Sequence, residues 1–378
     1  MKILKILNSE DEGGVLQAEI QYMQELKLHK VEIHSLIIGN GRNLESYQKL
    51  SDKYINMPST NLNIKGNYFE KILSLLSISK WSSGLYHDLA TKLKSQDYDA
   101  IVFSRISFIF LAYLIGKEKS INKFYFIHSS FDNLKSIYAH KFLFKSLDII
   151  PIANSKFTNQ TFNEGCKYVL YPGYNQSRIA QTYKGLDYRK ELNIEDSTLV
   201  LGIAARICKY KAQNTITKIL LSEEFINKDF VLLLAGKIQD PLIMEEIKSI
   251  AGNQYGKKII YLGDLENINK FYASIDVLVN SGIGPETFGI SVVEALASGV
   301  PTIAPNIGGT AETVKNGYNG WLFEDFTPAS YHKVLYQVFE DRDNLNVLSQ
   351  NALESIDQFS AQKNVKKLIE IIRHENIK

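Results

Sequence analysis

Short apolar runs alternate along this chain with longer stretches in which apolar positions recur every three or four residues. Residues 3–8 form the first run, which stops at Ser9-Glu10-Asp11-Glu12-Gly13-Gly14. Leu16, Ile20, Met23 and Leu26 then carry helical spacing, and residues 31–38 predict a second strand closed by Gly39-Asn40-Gly41. Further strands are predicted at 99–104, 123–128 and 149–154, with helical stretches between them. Strands that alternate with helices predict a parallel sheet covered on both faces.

The pattern breaks between about residues 171 and 196, where Pro172, Gly173 and Gly185 lie among polar residues, and this stretch reads as a linker. It restarts with buried strands predicted at 198–204, 230–235, 258–262, 276–280 and 301–304, and the last 35 or so residues read as helical throughout. The expected fold class is α/β, with two Rossmann-like halves. The expected domains are 1–175 and 180–358, followed by a C-terminal helix at about 360–378. Ligands of such sheets bind beyond the carboxyl ends of the strands, so the expected site is a cleft between two facing domains.

Composition narrows the classes. A length of 378 residues suits two domains of ordinary size, and 45% hydrophobic with 22% charged residues suits a folded soluble protein. A net charge of +2 argues against a general nucleic-acid binder. Cys166 and Cys208 are far apart and have no His or Cys partner at metal-ligand spacing, so neither a disulfide framework nor a zinc site is expected. The lysine-interrupted N-terminus does not read as a secretory signal, and no apolar run approaches the ~20 residues of a membrane span, so a cytoplasmic, soluble or peripheral protein is expected.

The chemistry concentrates in one stretch, from Asn280 to Pro301. A strand ends near Asn280, a loop with Gly282, Gly284 and Pro285 follows, and a helix is predicted to begin near Phe288 or Gly289. First-turn amides of a helix lack intrahelical partners and can bind hydroxyls or phosphate oxygens. Glu286 precedes that terminus and Glu294 lies on the helix, so the two carboxylates can reach different parts of one ligand. Taken alone, the pair would be a dipole-complementing residue and a solvated helix residue.

The stretch continues through Glu294-Ala295-Leu296-Ala297-Ser298-Gly299-Val300-Pro301, then Gly308-Gly309-Thr310-Ala311-Glu312, then Asn316-Gly317-Tyr318-Asn319-Gly320. This ordered series resembles the glutamate-x7-glutamate signature of retaining glycosyltransferases of family 4, whose two-domain fold is called GT-B; in that family the C-terminal helix crosses back to the first domain, which implies that a helix at about 360–378 joins 1–175. The resemblance implies that Glu286 lies at the donor sugar and Glu294 at the nucleotide ribose, with amides of Thr287, Phe288, Gly289 and Ile290 on the sugar hydroxyls and diphosphate. Arg206 and Lys211 resemble the family's diphosphate-gripping cations, suited to neutralising a leaving diphosphate. His128, at the end of a strand, resembles the family's histidine that reaches the donor sugar. Gly13 and Gly14 match the loop that approaches diphosphate or acceptor, and Gly236 and Leu265 sit where the family lines its nucleotide pocket. Thr287 and Ala212 are departures, each standing where glycine is common.

The resemblance implies transfer from a nucleotide-sugar, a UDP-sugar by preference, to a hydroxyl of a glycan or lipid-linked acceptor, with retention by front-face displacement and a part in surface polysaccharide or lipopolysaccharide assembly. A sugar-nucleotide epimerase or a phosphorylase of the same fold is the alternative. A nicotinamide-dependent dehydrogenase fits less well, because the loop at Gly13-Gly14 lacks Gly-x-Gly-x-x-Gly spacing. No metal or other cofactor is expected: Asp97-Tyr98-Asp99 leads into a strand, and Asp341-Arg342-Asp343 joins two helical stretches. Finally, residues 68–81 and 134–145 mix lysines with apolar residues, a pattern of helices that lie on anionic membranes and also of core helices with snorkelling lysines.

Overall fold

The computed structural model describes residues 1–58, 68–94, 96–174, 179, 187–265 and 267–377. The chain divides into two compact units, Met1–Gly173 with Ala361–Lys378, and Tyr174–Ser360.

The first unit runs β1 (Lys2–Asn8), α1 (Gly13–Leu28), β2 (Glu32–Ile38), α2 (Leu44–Leu50), β3 (Lys53–Met57), α3 (Tyr68–Lys94), β4 (Ala100–Phe103), α4 (Ile109–Lys117), β5 (Lys123–Ile127), α5 (Leu134–Ser146), β6 (Ile149–Ala153), α6 (Lys156–Thr161) and β7 (Tyr168–Val169). Its seven strands pair in parallel in the order β3-β2-β1-β4-β5-β6-β7. The central strands are buried on both faces, which explains their unbroken apolar runs. One face carries Leu4, Ile6, Leu36, Ile101 and Phe103 against α3 and α4, and the other carries Ile3, Leu7, Val102 and Phe124 against α1.

The second unit runs α7 (Tyr188–Glu191), β8 (Leu199–Ala204), α8 (Gln213–Leu220), β9 (Phe230–Ala235), α9 (Pro241–Ala251), β10 (Ile259–Tyr261), α10 (Ile268–Ser274), β11 (Val277–Val279), α11 (Ile290–Ala297), β12 (Thr302–Pro305), β13 (Gly320–Phe323), α12 (Pro328–Glu340) and α13 (Leu345–Ser355). Its six parallel strands lie in the order β10-β9-β8-β11-β12-β13. Two helix starts use the same device, a capping side chain followed by proline: Asp240 accepts from the Leu242 amide before Pro241, and Thr327 accepts from the Ser330 amide before Pro328. Trp321 is buried on β13, its indole Nε1 donating to Asp341 at 2.7 Å.

The chain then returns to the first unit as α14 (Ala361–Glu375). Val365, Leu368, Ile369 and Ile372 of this helix lie in one apolar cluster with Ile3, Tyr22 and Leu26.

Three strands differ from expectation. β3 carries no unbroken apolar run, because all five of its residues are exposed or half-exposed, as befits an edge strand. β7 is two residues long, and β13 follows a glycine-rich stretch that reads as loop. The stretch expected as linker contains α7, and Tyr174 within it pairs with Ser360; residues 175–178 and 180–186 of that linker lie outside the described residues.

In both sheets the strand order reverses beside the first strand of the unit, between β1 and β4 and between β8 and β11. The loops that follow those strands diverge to opposite faces and leave a crevice at the carboxyl edge, where α/β sheets bind ligands. Gly13 and Gly14, expected in the loop after β1, instead form the first residues of α1 where that loop ends; the loop after β8 holds Arg206 and Lys211, and the loop after β11 holds Glu286.

Candidate active site

In the second unit, the loop after β8 and the loop after β11 are tied into one structure. The Ile283 amide donates to the Tyr210 carbonyl at 2.7 Å, and Ser281 Oγ donates to the Lys211 carbonyl at 2.5 Å. Tyr331, buried on α12, donates its hydroxyl to the Ser281 carbonyl at 2.9 Å and braces the loop from behind. The Lys211 ammonium forms an ion pair with Glu286 Oε1. Asn280 Nδ2 lies 3.4 Å from Glu286 Oε2, so both carboxylate oxygens have a donor beside them.

Arg206 is exposed at the end of β8, and its carbonyl accepts from Gln213 Nε2 at 2.9 Å. Gln213 itself is fully buried at the start of α8. Ala212, between Lys211 and Gln213, is buried in the left-handed region at φ 48°. The residue that replaces the family's glycine thus keeps the conformation that glycine adopts without strain.

Helix α11 starts one or two residues later than expected, with Gly289 as N-cap at φ 84°. Thr287 is half-buried, whereas Phe288 is buried with its ring 5.9 Å from that of Phe359, so its side chain packs inward and only its backbone faces the loop. The glycine pair that follows β12 explains itself here. A Cβ on Gly308 would stand 2.6 Å from the Glu286 carbonyl oxygen, and one on Gly309 would stand 2.2 Å from that of Thr287. The Gly309 amide donates to the Glu286 carbonyl at 2.7 Å. Gly308 and Gly309 are therefore the bed on which residues 286–288 lie.

Glu294 is buried at 5% exposure rather than solvated. Tyr272, itself buried on α10, donates its hydroxyl to Glu294 Oε2 at 3.1 Å. A carboxylate removed from water needs such donors. At the neighbouring strand ends, a Cβ on Gly236 would stand 2.2 Å from the Ala205 carbonyl oxygen, so the loop after β9 presses against the backbone that leads into Arg206. Tyr261 donates its hydroxyl to the Gly236 carbonyl at 2.8 Å, and the Gly236 amide donates to the Gly263 carbonyl at 2.8 Å. Leu265 follows, half-buried.

In the first unit, Gly13 begins α1 at φ 62° with Gly14 behind it, both exposed. The loop before them is fixed: Asn43 Nδ2 donates to the carbonyls of Ser9 and Asp11 at 3.1 and 2.6 Å, and Arg105 Nε donates to the buried Asp11 carboxylate at 2.6 Å. Burial raises Asp11 above the ordinary carboxylate range, against the pull of Arg105. His128 follows β5 and stacks on Phe126, ring centroids 6.3 Å apart. It lines a cavity of about 10 Å³ with Lys5, Glu19, Tyr22 and Phe126, room for a water at most. Lys5 and Glu19 are buried and paired, and Ser104 Oγ donates to the other Glu19 oxygen. Burial acts to raise Glu19, but Lys5 and Ser104 hold it below its ordinary value. Burial lowers His128 to about 4, with Glu19 opposing and Lys5 assisting, so the imidazole is neutral at pH 7.

The structure thus brings Arg206, Lys211, Gly236, Glu286 and the 287–290 backbone to one end of the second sheet, with Glu294 inside α11. Gly13, Gly14 and His128 lie at the corresponding end of the first sheet. Asn280, Tyr272, Tyr331 and Gln213 were not singled out from the sequence. Three of them sit in helical patterns where an aromatic or amide reads as packing; Asn280 opens the motif, but nothing in the spacing shows that it turns back on Glu286. Three of the four aspartates in the two Asp-x-Asp stretches have structural partners: Asp97 pairs with Lys119 at 2.7 Å, Asp99 accepts from the Lys2 amide at 2.6 Å, and Asp341 holds Trp321. Among the described residues no group of three or more His, Cys, Asp or Glu is placed to hold a metal.

Residues 186–355 match the family model described as glycosyl transferases group 1. The chain is 24% identical over 283 residues to an uncharacterised glycosyltransferase of Methanocaldococcus jannaschii, covering 69% of each. It is 24% identical over 180 residues to the lipopolysaccharide core biosynthesis mannosyltransferase of Rhizobium meliloti, where it spans about half of that relative's length, 50%, and 47% of its own. Among solved structures it superposes on Anabaena HepE in complex with UDP and glucose with a TM-score of 0.78 at 18% identity, over 99% of this chain and 100% of that one. That likeness shows the fold, which is GT-B.

Proposed function

We propose, for a chain that belongs through residues 186–355 to the glycosyl transferases of group 1, that it transfers a sugar from a nucleotide-sugar to a hydroxyl of a glycan or lipid-linked acceptor, with retention at the anomeric carbon. The observation that carries this reading is the Lys211–Glu286 pair, set by two tied loops at the strand-order reversal of the second sheet. A fixed cation and a fixed carboxylate side by side suit a substrate with a diphosphate at one end and sugar hydroxyls at the other.

In this reading Arg206, Lys211 and the amides of residues 287–290 hold the diphosphate as negative charge develops on it. Glu286 accepts from the donor sugar and Glu294 from the ribose. His128, neutral at pH 7, is assigned to the donor sugar as a hydrogen-bond partner, and Gly13 and Gly14 to the loop that approaches the substrates. A UDP-sugar is the favoured donor; HepE, of the same fold, is the protein whose structure holds UDP and glucose. A role in lipopolysaccharide or another surface polysaccharide is supported by the Rhizobium meliloti mannosyltransferase among the relatives. The reading needs no metal or organic cofactor, and places the protein in the cytoplasm, against the inner face of the cell membrane when the acceptor is lipid-linked.

A thermal-shift panel of UDP-, GDP- and ADP-sugars tests the donor class first. With the stabilising donor in hand, Glu286→Ala should retain the fold and lose transfer, and NMR of the product should show retained configuration. Substantial residual kcat in that variant, or an inverted product, sinks the assignment. Loss of activity in EDTA that manganese restores would overturn the metal-free part.

A further inference from the structure

Among the described residues, helix α3 packs chiefly against α4. The sheet face that it borders stays open toward β2 and the edge strand β3, where a cavity of about 350 Å³ lies. Strand register builds the floor of this cavity. Leu4 aligns with His34, His34 with Lys53, and Leu36 with Ile55, and side chains aligned across parallel strands share a face. Leu4 and Leu36 are buried on that face, and Leu93, from the last turn of α3, adds to the apolar lining.

The polar groups of the lining are mostly engaged with one another. The His34 and Tyr98 rings meet edge to face with centroids 5.5 Å apart. Both imidazole nitrogens have partners, Nδ1 the Tyr98 hydroxyl at 3.1 Å and Nε2 the Glu32 carboxylate at 2.7 Å. The Ser51 hydroxyl is turned to Ser35 Oγ and the Tyr47 carbonyl, each at 2.6 Å. Asp52 accepts from the Ile33 amide at 2.8 Å and pairs with Lys27 at 2.9 Å. Two cations are left over. Lys53 on β3 and Lys92 on α3 both line the cavity, both are exposed, and neither has an ion pair among the described residues.

We infer that this cavity binds a small amphipathic anion, a molecule with an apolar ring body that carries one phosphate, sulfonate or carboxylate group. An apolar lining with a few placed polar groups is what small-molecule sites present, and the volume falls at the low end of their range. The ring body rests on Leu4, Leu36 and Leu93 beside the Tyr98 ring, while Lys53 and Lys92 approach the anionic group from β3 and α3. A sugar is the poorer occupant, because the floor is apolar and the hydrogen-bonding groups of His34 and Ser51 are already taken. Leu4, His34 and Lys53 lie toward the amino ends of their strands, whereas Gly13 and Gly14 lie beyond the carboxyl end of β1. The cavity is therefore at the opposite end of the sheet from the candidate site, and its ligand is neither donor nor acceptor of the proposed reaction. The inference stands apart from that reading.

The test titrates the full chain with two dyes of nearly one shape, anilinonaphthalene sulfonate and its uncharged analogue phenylnaphthylamine. The sulfonate should saturate one site, read by its rise in fluorescence, and the uncharged dye should bind about tenfold more weakly. Lys53→Glu with Lys92→Glu should weaken the sulfonate about tenfold, the scale of two exposed ion pairs, and leave the uncharged dye unchanged. Ile55→Trp fills the cavity from the edge strand and should abolish binding of both dyes, with the melting temperature kept, since tryptophan suits a strand. No binding, equal affinity for the two dyes, or an unchanged sulfonate affinity in the lysine variant overturns the proposal. So does wild-type binding by a folded Ile55→Trp, or a crystal structure of the complex with the sulfonate outside the cavity. The lysine variant changes exposed residues only, so it decides the question even where Ile55→Trp does not fold. Sugar transfer should be equal in the parent and the lysine variant, and failure of the dye to bind leaves that activity untouched.

Discussion

Lys211 and Glu286 form an ion pair across two loops that follow strands not consecutive in the chain, β8 and β11. If Lys211 holds the donor diphosphate, that group competes with Glu286 for the same ammonium. Removing either partner releases the other, so their effects should not multiply. Lys211→Met should lower kcat/KM by about a hundredfold or more, the range for losing a charge-stabilising donor. Glu286→Gln should lower kcat by a similar or larger factor. The double variant should fall well short of the product of the two losses, as measured by initial rates with the identified donor.

Tyr272 fixes one oxygen of the buried Glu294. If Glu294 holds the ribose, Tyr272→Phe should raise the donor KM about ten- to a hundredfold, the worth of one hydrogen bond to a charged group, and leave kcat nearly unchanged. A fall in kcat at constant KM would count against the ribose assignment.

Gly309 and Gly282 make a matched comparison. A Cβ on Gly309 meets the Thr287 backbone at 2.2 Å, whereas one on Gly282 meets nothing nearer than 3.6 Å and no positive φ opposes it. Gly309→Ala should destabilise by about 1–3 kcal/mol through overpacking against backbone. Gly282→Ala should remain within about 0.5 kcal/mol of the parent. Urea unfolding checks both.

Ala212 occupies the left-handed region at φ 48°. Relief of that strain should make Ala212→Gly more stable by up to about 1 kcal/mol, after the greater freedom of glycine in the unfolded chain is counted against it. A variant less stable than the parent would show that the buried methyl group contributes more than the backbone strain costs.

His128 supplies a pH test. Its proton affinity is lowered to about 4 in the folded chain from an ordinary value of 6.5. Between those values the unfolded chain binds a proton that the folded imidazole refuses, so stability falls as pH drops through that window. His128→Asn should flatten part of that fall in urea titrations. Because the imidazole stays neutral down to about pH 4, kcat/KM should show no ionisation near pH 6.5 that disappears in His128→Asn.

The central strands were readable because parallel strands buried on both faces are apolar without interruption, as in β8, β9 and β5. The edge strand β3, with its open burial pattern, leaves no such mark. The glutamates were legible in an ordered motif that spans a strand end and a helix start, and Arg206 and Lys211 in their position just after the first strand of the second half. Their supports were not. Tyr272, Tyr331 and Asn280 act on residues 22, 50 and 6 positions away, and such pairings exist only after the sheet has formed. Glu19 illustrates the same limit: one acidic residue on a helical face looks solvated until Lys5 on β1 and Ser104 just after β4 close around it.

Helix α14 puts the last stretch of the chain into the core of the unit that the first stretch begins. During synthesis the second unit, though later in sequence, has all of its residues first. The first unit waits until Val365, Leu368 and Ile372 have been made before it can close over Ile3, Tyr22 and Leu26. Until then its apolar floor is open, and a chain cut short near residue 360 would keep the whole of the second unit yet leave the first exposed to proteases and to aggregation.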